Sequence, residues 1–136
     1  MEELGVGSWP EYIAQGRQYF KAARGGRKRP EVFTNELVSH LIGLSVEKLL
    51  MGLCLRHGRL PADHTLGGIV SEVQSLCPME RMLAEEIALM DRAQDLCALD
   101  PRLPLAMSDQ RVAHMLETNA RVAEYVEEKL QPRRSP

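Results

Sequence analysis

Histidine and cysteine, the side chains that most often carry nucleophilic or metal chemistry, are sparse in this chain. The four histidines are His40, His57, His64 and His114, and their scatter gives no metal-ligand spacing. Cys54, Cys77 and Cys97 are odd in number, far apart and free of any CxxC pairing. They read as small core residues in a reducing compartment, not as a disulfide framework or a zinc site. A glycine-rich phosphate loop, an HExxH helix and a GxSxG elbow are all missing, so no cofactor and no metal is expected.

Charge is the more informative chemistry. Six basic residues, Arg17, Lys21, Arg24, Arg27, Lys28 and Arg29, occur between 17 and 29 without one acid. The last three sit in RGGRKRP, whose composition predicts a turn. A basic, glycine-containing loop can wrap phosphate oxygens, which makes this the best electrostatic candidate for a nucleotide or nucleic-acid contact. The alternative is a solvated loop. Net charge is only −2, so there is no global basic field. The distribution is nevertheless lopsided, +3 over residues 1–60 and −5 over 61–136.

These groups must be held by helices. Apolar content is 44% while aromatics make 4%, a balance that favours helix over sheet. The longest apolar stretch without proline is 34–59. Its apolar positions from Leu37 to Leu55 satisfy the helical template and overflow it, which predicts a central helix packed on several sides. At 100° per residue Glu36, His40, Gly43, Glu47 and Cys54 form one stripe, and Ser45, Lys48, Gly52 and Arg56 a second. Either one strip meets solvent while the other admits a neighbouring helix over its small residues, or Glu36, His40 and Glu47 line a groove or dimer face where charges need partners.

Around the central helix the chain reads as one domain over 8–131, with flexible tails at 1–7 and 132–136. A first helix starts at Ser8 as N-cap, with Pro10 in its first turn and Trp9, Tyr12, Ile13, Tyr19 and Phe20 along it. Gly25-Gly26 should stop it and Pro30 open the next. Gly58 suits the left-handed position after the central helix. Asp63 or Thr65 caps a short third helix over 66–76, and Pro78 breaks the chain. A fourth helix runs over 79–99 with Glu85, Glu86, Asp91 and Asp95 on a wet face. Asp100 to Pro104 reads as an extended connector. Ser108 starts the last helix, which ends before Pro132. No segment has signal-peptide character and none approaches the roughly 18 uninterrupted apolar residues of a membrane span, so a cytoplasmic chain without a membrane is expected.

The ordered combination Ser45-Val46-Glu47-Lys48-Leu49-Leu50, then Arg56-His57-Gly58-Arg59-Leu60-Pro61, then His64-Thr65-Leu66 resembles the HEPN domain family. The weaker match extends to the C-terminus. The resemblance implies an all-α, up-and-down antiparallel bundle of four long helices and one short one, and a homodimer. It also implies one of two activities. Ribonucleases of the family, including toxins of toxin–antitoxin pairs, use an Arg, four to six residues and a His, without metal. The imidazole moves the 2′-hydroxyl proton and the guanidinium stabilises the phosphorane. Arg59 and His64 satisfy that count but lie around Pro61, while the family's motif opens a later helix; Arg111 and His114 fall two residues short. Non-catalytic members bind nucleotides or partner a nucleotidyltransferase, and many carry Arg-Tyr-Pro after the fourth helix. The corresponding stretch here is Arg102-Leu103-Pro104, without the stacking ring. The expected function is therefore a non-catalytic module for a nucleotide or RNA, using Arg27, Lys28, Arg29, Lys48, His64 and Arg102. The alternatives are an endoribonuclease using Arg59 and His64, and a nucleotidyltransferase partner docking through the acidic fourth or fifth helix.

Overall fold

The second helix has eleven buried residues between Val38 and Cys54, and the rest of the protein is arranged around it. A computed structural model describes residues 8–61, 63, 65–99 and 107–131, with side chains described outside 91–99. The expected connector at 100–104 and both tails lie outside those residues. The described residues form five helices: α1 (Trp9–Arg27), α2 (Asn35–Arg56), α3 (Leu66–Leu76), α4 (Arg81–Leu99) and α5 (Asp109–Leu130). The protein is an all-α helical bundle in which α1, α3 and α5 pack on α2, while α4 packs on α3 and α5. By length and composition α2 could cross a membrane, but 61% of its apolar window is buried inside the bundle, as befits a core helix.

Local chemistry sets the boundaries. Ser8 caps α1, its N–H donating to the Glu11 carboxylate at 2.8 Å. The hydroxyls of Thr34, Thr65 and Ser108 accept from the backbone N–H groups of Leu37, Gly68 and Arg111 at the starts of α2, α3 and α5. Asp63, the other candidate for the α3 cap, accepts from the Thr65 N–H at 3.0 Å and from its hydroxyl at 2.6 Å. At the end of α2, Gly58 takes φ +71°. The Gly58 N–H then bonds the Leu55 carbonyl, and the Arg59 N–H joins that of His57 on the Cys54 carbonyl, which satisfies acceptors at the helix end.

Two boundaries differ from the sequence expectation. Gly25-Gly26 does not stop α1, which continues to Arg27. Gly26 lies within the helix, and its lack of a side chain leaves room for the Phe33 ring, which would stand 2.5 Å from a Cβ placed there. Nor does Pro30 open the next helix; it sits in a turn, and α2 begins after Thr34.

The core follows from the closeness of α1 and α2. Gly16 presses on Leu49 and Gly52 on Ile13, so the strip carrying Ser45 and Gly52 admits the neighbouring helix. Within this contact the Ser45 hydroxyl donates to the Gly16 carbonyl at 2.7 Å, and Asn119 of α5 donates its amide to the same hydroxyl oxygen at 3.0 Å. Ser45 and Asn119 are both 0% exposed, so this hydrogen-bonded chain crosses the centre of the core.

A methyl group at Gly16 would stand 2.6 Å from the Leu49 side chain and 3.1 Å from its backbone nitrogen, whereas one at Gly25 meets nothing within 4 Å. Gly16→Ala should lower stability by about 1–3 kcal/mol, and Gly25→Ala should raise it by about 0.5–1 kcal/mol. Urea unfolding of the two variants checks the opposite signs.

Candidate functional site

The cations of α1 line its exposed surface and the turn that follows. Arg24 lies over the Phe20 ring at 4.7 Å. Arg17 is ion-paired with Glu127 of α5, and Arg29 lies 4.0 Å from Glu31. Arg27 donates to the Asp109 carbonyl at 3.4 Å, and Asn35 donates to the Met107 carbonyl and the Asp109 carboxylate, each at 2.8 Å. The end of α1, the start of α2 and the start of α5 are thus tied together, which fixes the basic turn in place. Among the described residues no carboxylate pairs with Lys21, Arg24 or Lys28. Exposed cations of this kind keep their charge available to an incoming phosphate.

Lys48 lies elsewhere. Its ammonium is 5.0 Å above the Tyr12 ring, and Arg56 lies over Trp9 at 5.5 Å. Tyr12 and Arg27 are fifteen residues apart on one helix, or ~23 Å along its axis. Lys48 and the 27–29 turn therefore cannot grip the same compact ligand. His64 and Arg102, the two other expected contacts, lie outside the described residues.

Arg59, the guanidinium of the ribonuclease reading, is tied to α3. It lies 2.8 Å from the Glu72 carboxylate, whose side chain is 19% exposed. This ion pair sits beside Cys54, His57 and Cys77. The Cys77 sulfur is 3.7 Å from His57 Nε2, and the Tyr125 hydroxyl donates to the Cys77 carbonyl at 3.3 Å. Burial pushes the Cys54 thiol up to about 11, with Glu72 and Cys77 adding to the rise and Arg59 opposing it. Burial likewise raises the Tyr125 phenol. The result is a neutral Cys54 thiol with little nucleophilic character, and both Cys54 and Cys77 are buried and free. Among the described residues no group of three or more His, Cys, Asp or Glu side chains is placed to hold a metal.

Glu86 was expected on the wet face of α4 and is instead turned towards α5, with its side chain 17% exposed. One oxygen accepts from the Thr118 hydroxyl and from Arg121, each at 3.0 Å; the other lies 3.3 Å from His114 Nε2. Arg121 also reaches Glu80 at 2.8 Å. An oriented imidazole beside a guanidinium resembles phosphodiester-cleaving machinery, yet Glu80, Glu86 and Glu117 give the cluster an acidic balance that repels phosphate. It works as a clamp between α4 and α5. The signal available in the sequence was position: Glu86 adjoins Ile87, and Leu83 and Met90 lie one turn to either side, so it borders the apolar stripe of its helix.

The stripe of Glu36, His40, Gly43, Glu47 and Cys54 is not uniform. Glu36 and His40 are exposed, Glu47 is half-buried, and Gly43 and Cys54 are buried. The three polar side chains make no ion pair with any described residue. A shallow groove of about 300 Å³ lies between the start of α1 and the end of α5, floored by Trp9, Ile13 and Leu130 and rimmed by Arg17 and Glu127. No protein family, characterised protein or solved structure is matched by this chain.

Folding favours the protonated Cys54 thiol. The stability this gives is complete below the ordinary value of 9.0 and is lost as the pH rises through about 11; Tyr125 acts in the same direction. Urea unfolding at about pH 8 and about pH 10.5 should give the lower midpoint at the higher pH, and Cys54→Ala should narrow the difference. A midpoint that holds steady across this range would argue against a buried neutral thiol.

Proposed function

We propose that this protein is a non-catalytic module that binds RNA or a nucleotide, built as an up-and-down antiparallel bundle of HEPN type. The observation that carries the reading is the basic end of α1. Six cations with no intervening acid occupy one helix and its turn, and Lys21, Arg24 and Lys28 have no carboxylate partner among the described residues. Arg24 stacked on Phe20 and the turn held against α5 give this patch a fixed shape. Phosphate oxygens would replace counterions at Lys21, Arg24, Arg27, Lys28 and Arg29. His64 and Arg102 are further contacts under the family resemblance, whereas Lys48 stands apart.

The pairing of Arg59 with Glu72 supports a binding role over a ribonuclease, because a guanidinium neutralised by a half-buried carboxylate is poorly available to stabilise a phosphorane. A nucleotidyltransferase partner is compatible with the same reading, since the outward side of α5 carries Glu117, Glu124, Glu127 and Glu128, all exposed. Two free thiols suit a reducing, cytoplasmic setting.

Fluorescence anisotropy with a single-stranded RNA oligonucleotide tests the proposal. Replacing Arg27, Lys28 and Arg29 together by Gln should weaken binding uniformly across sequences and reduce the slope of log K against log salt by about 2. An unchanged slope would remove the turn from the interface. Incubation of RNA in EDTA should give no cleavage; cleavage by wild type that disappears in His64→Ala would make the protein an enzyme instead.

A further inference from the structure

At 100° per residue Arg17, Lys21, Arg24 and Lys28 fall within about 60° of one another, so these cations form one straight stripe along α1 and its C-cap. The stripe is not uniform. Arg17, at one end, is engaged by Glu127. Lys21, Arg24 and Lys28 are exposed and meet no carboxylate among the described residues. They follow one another at spacings of three and four, so each stands about one turn, ~5.4 Å, further along the axis. Small residues border the stripe on one side. Ala14, Ala22 and Gly25 are exposed there, and a Cβ at Gly25 would meet nothing within 4 Å. On the other side the Arg24 guanidinium lies over the half-buried Phe20 ring, 4.7 Å from its centroid.

Given the RNA-or-nucleotide reading, on which this rests, we infer that the stripe is a track for single-stranded RNA, with the strand running along α1 and successive phosphates on Lys21, Arg24 and Lys28. A single nucleotide is held by polar groups that converge inside a concave pocket. Here the cations are strung along the convex side of a helix, over ~10 Å from Lys21 to Lys28. The groove between α1 and α5 is lined by none of them. A row of this length fits phosphates repeated along a chain, whereas one nucleotide would leave an end of it unused. The row is also one cation wide, which suits one strand better than the paired strands of a duplex. Arg24 on Phe20 points the same way. A guanidinium backed by a ring is a surface on which an unpaired base can lie, and a duplex keeps its bases stacked inside. Because phosphate contacts and stacking read no particular base, the track accepts any sequence.

Fluorescence anisotropy between about 50 and about 200 mM salt tests it, with an oligouridylate of about twelve nucleotides, a uridine dinucleotide, ATP and an RNA duplex of the same length as probes. The oligouridylate should bind at least about tenfold tighter than each of the others. Lys21→Gln and Lys28→Gln, at the two ends of the row, should each flatten the slope of log K against log salt by about 0.7, the single-strand value for one phosphate. Arg24→Lys should keep the slope and weaken binding about fivefold through the lost stacking surface. ATP or the dinucleotide binding as tightly as the oligouridylate would overturn the track and leave a nucleotide site standing. A duplex binding as tightly would overturn the single strand. Oligouridylate binding whose slope ignores both lysine variants would place the RNA elsewhere and overturn the track. Binding of none of the four probes would overturn the underlying reading together with the track.

Discussion

The bundle depends on how closely α1 can approach α2. Gly16 and Gly52 remove the side chains that would hold the helices apart, and the Ser45 hydroxyl uses the gap to reach the Gly16 carbonyl. That carbonyl sits inside a helix, so the serine takes its second lone pair. Because the same hydroxyl oxygen accepts from Asn119, the α1–α2 contact also fixes α5. Asn119 Oδ1 is buried with no hydrogen-bond partner among the described residues. An unmatched acceptor is a cost in a largely aliphatic core, and it is set against a link that joins three helices at one point.

Position in the fold separates the charges into those tied down and those left free. Arg59, Arg121 and Arg17 each meet a carboxylate from another helix, and their chemistry is largely spent on joining elements. Among the described residues the cations from Lys21 to Lys28 meet no carboxylate, and Arg27 bonds only a backbone carbonyl. Rings on α1 help to organise this division. Trp9, Tyr12 and Phe20 are each covered by a cation, two of them supplied by α2, so the aromatic side of α1 is half core and half charged surface.

Much of this was legible because it rests on local chemistry. The caps at Ser8, Thr65 and Ser108, and the left-handed Gly58, depend on backbone groups a few residues away. The strip of Ser45 and Gly52 also announced itself, since small residues on one side of an otherwise bulky helix leave room for another. The failures share a different cause. Gly26 makes room for Phe33 inside the helix, and Glu86 is inward because of Thr118, Arg121 and His114; the pairing of Arg59 with Glu72 was likewise invisible. Each outcome depends on a residue brought close only by folding, and helical periodicity within one element carries no trace of it. The site was legible to the same degree: the basic run could be read directly, but the distance between Lys48 and the turn could not.

The α4–α5 clamp has a consequence for how the molecule responds to its surroundings. Contacts among α1, α2 and α5 are mostly apolar, with the exposed Arg17–Glu127 pair and the Asn35–Asp109 bond at their edge. The described part of α4 is anchored by the buried Leu83, Ile87 and Met90 and, beside them, by the pairs among Glu86, Glu80, Arg121 and His114, whose attraction weakens as mobile ions crowd around it. Electrolyte therefore acts most on the α4–α5 contact, where several charge pairs stand beside the apolar packing. Amide hydrogens of α4 should be the ones whose exchange follows ionic strength, so the opening motion of this protein is set by the solvent as much as by the chain.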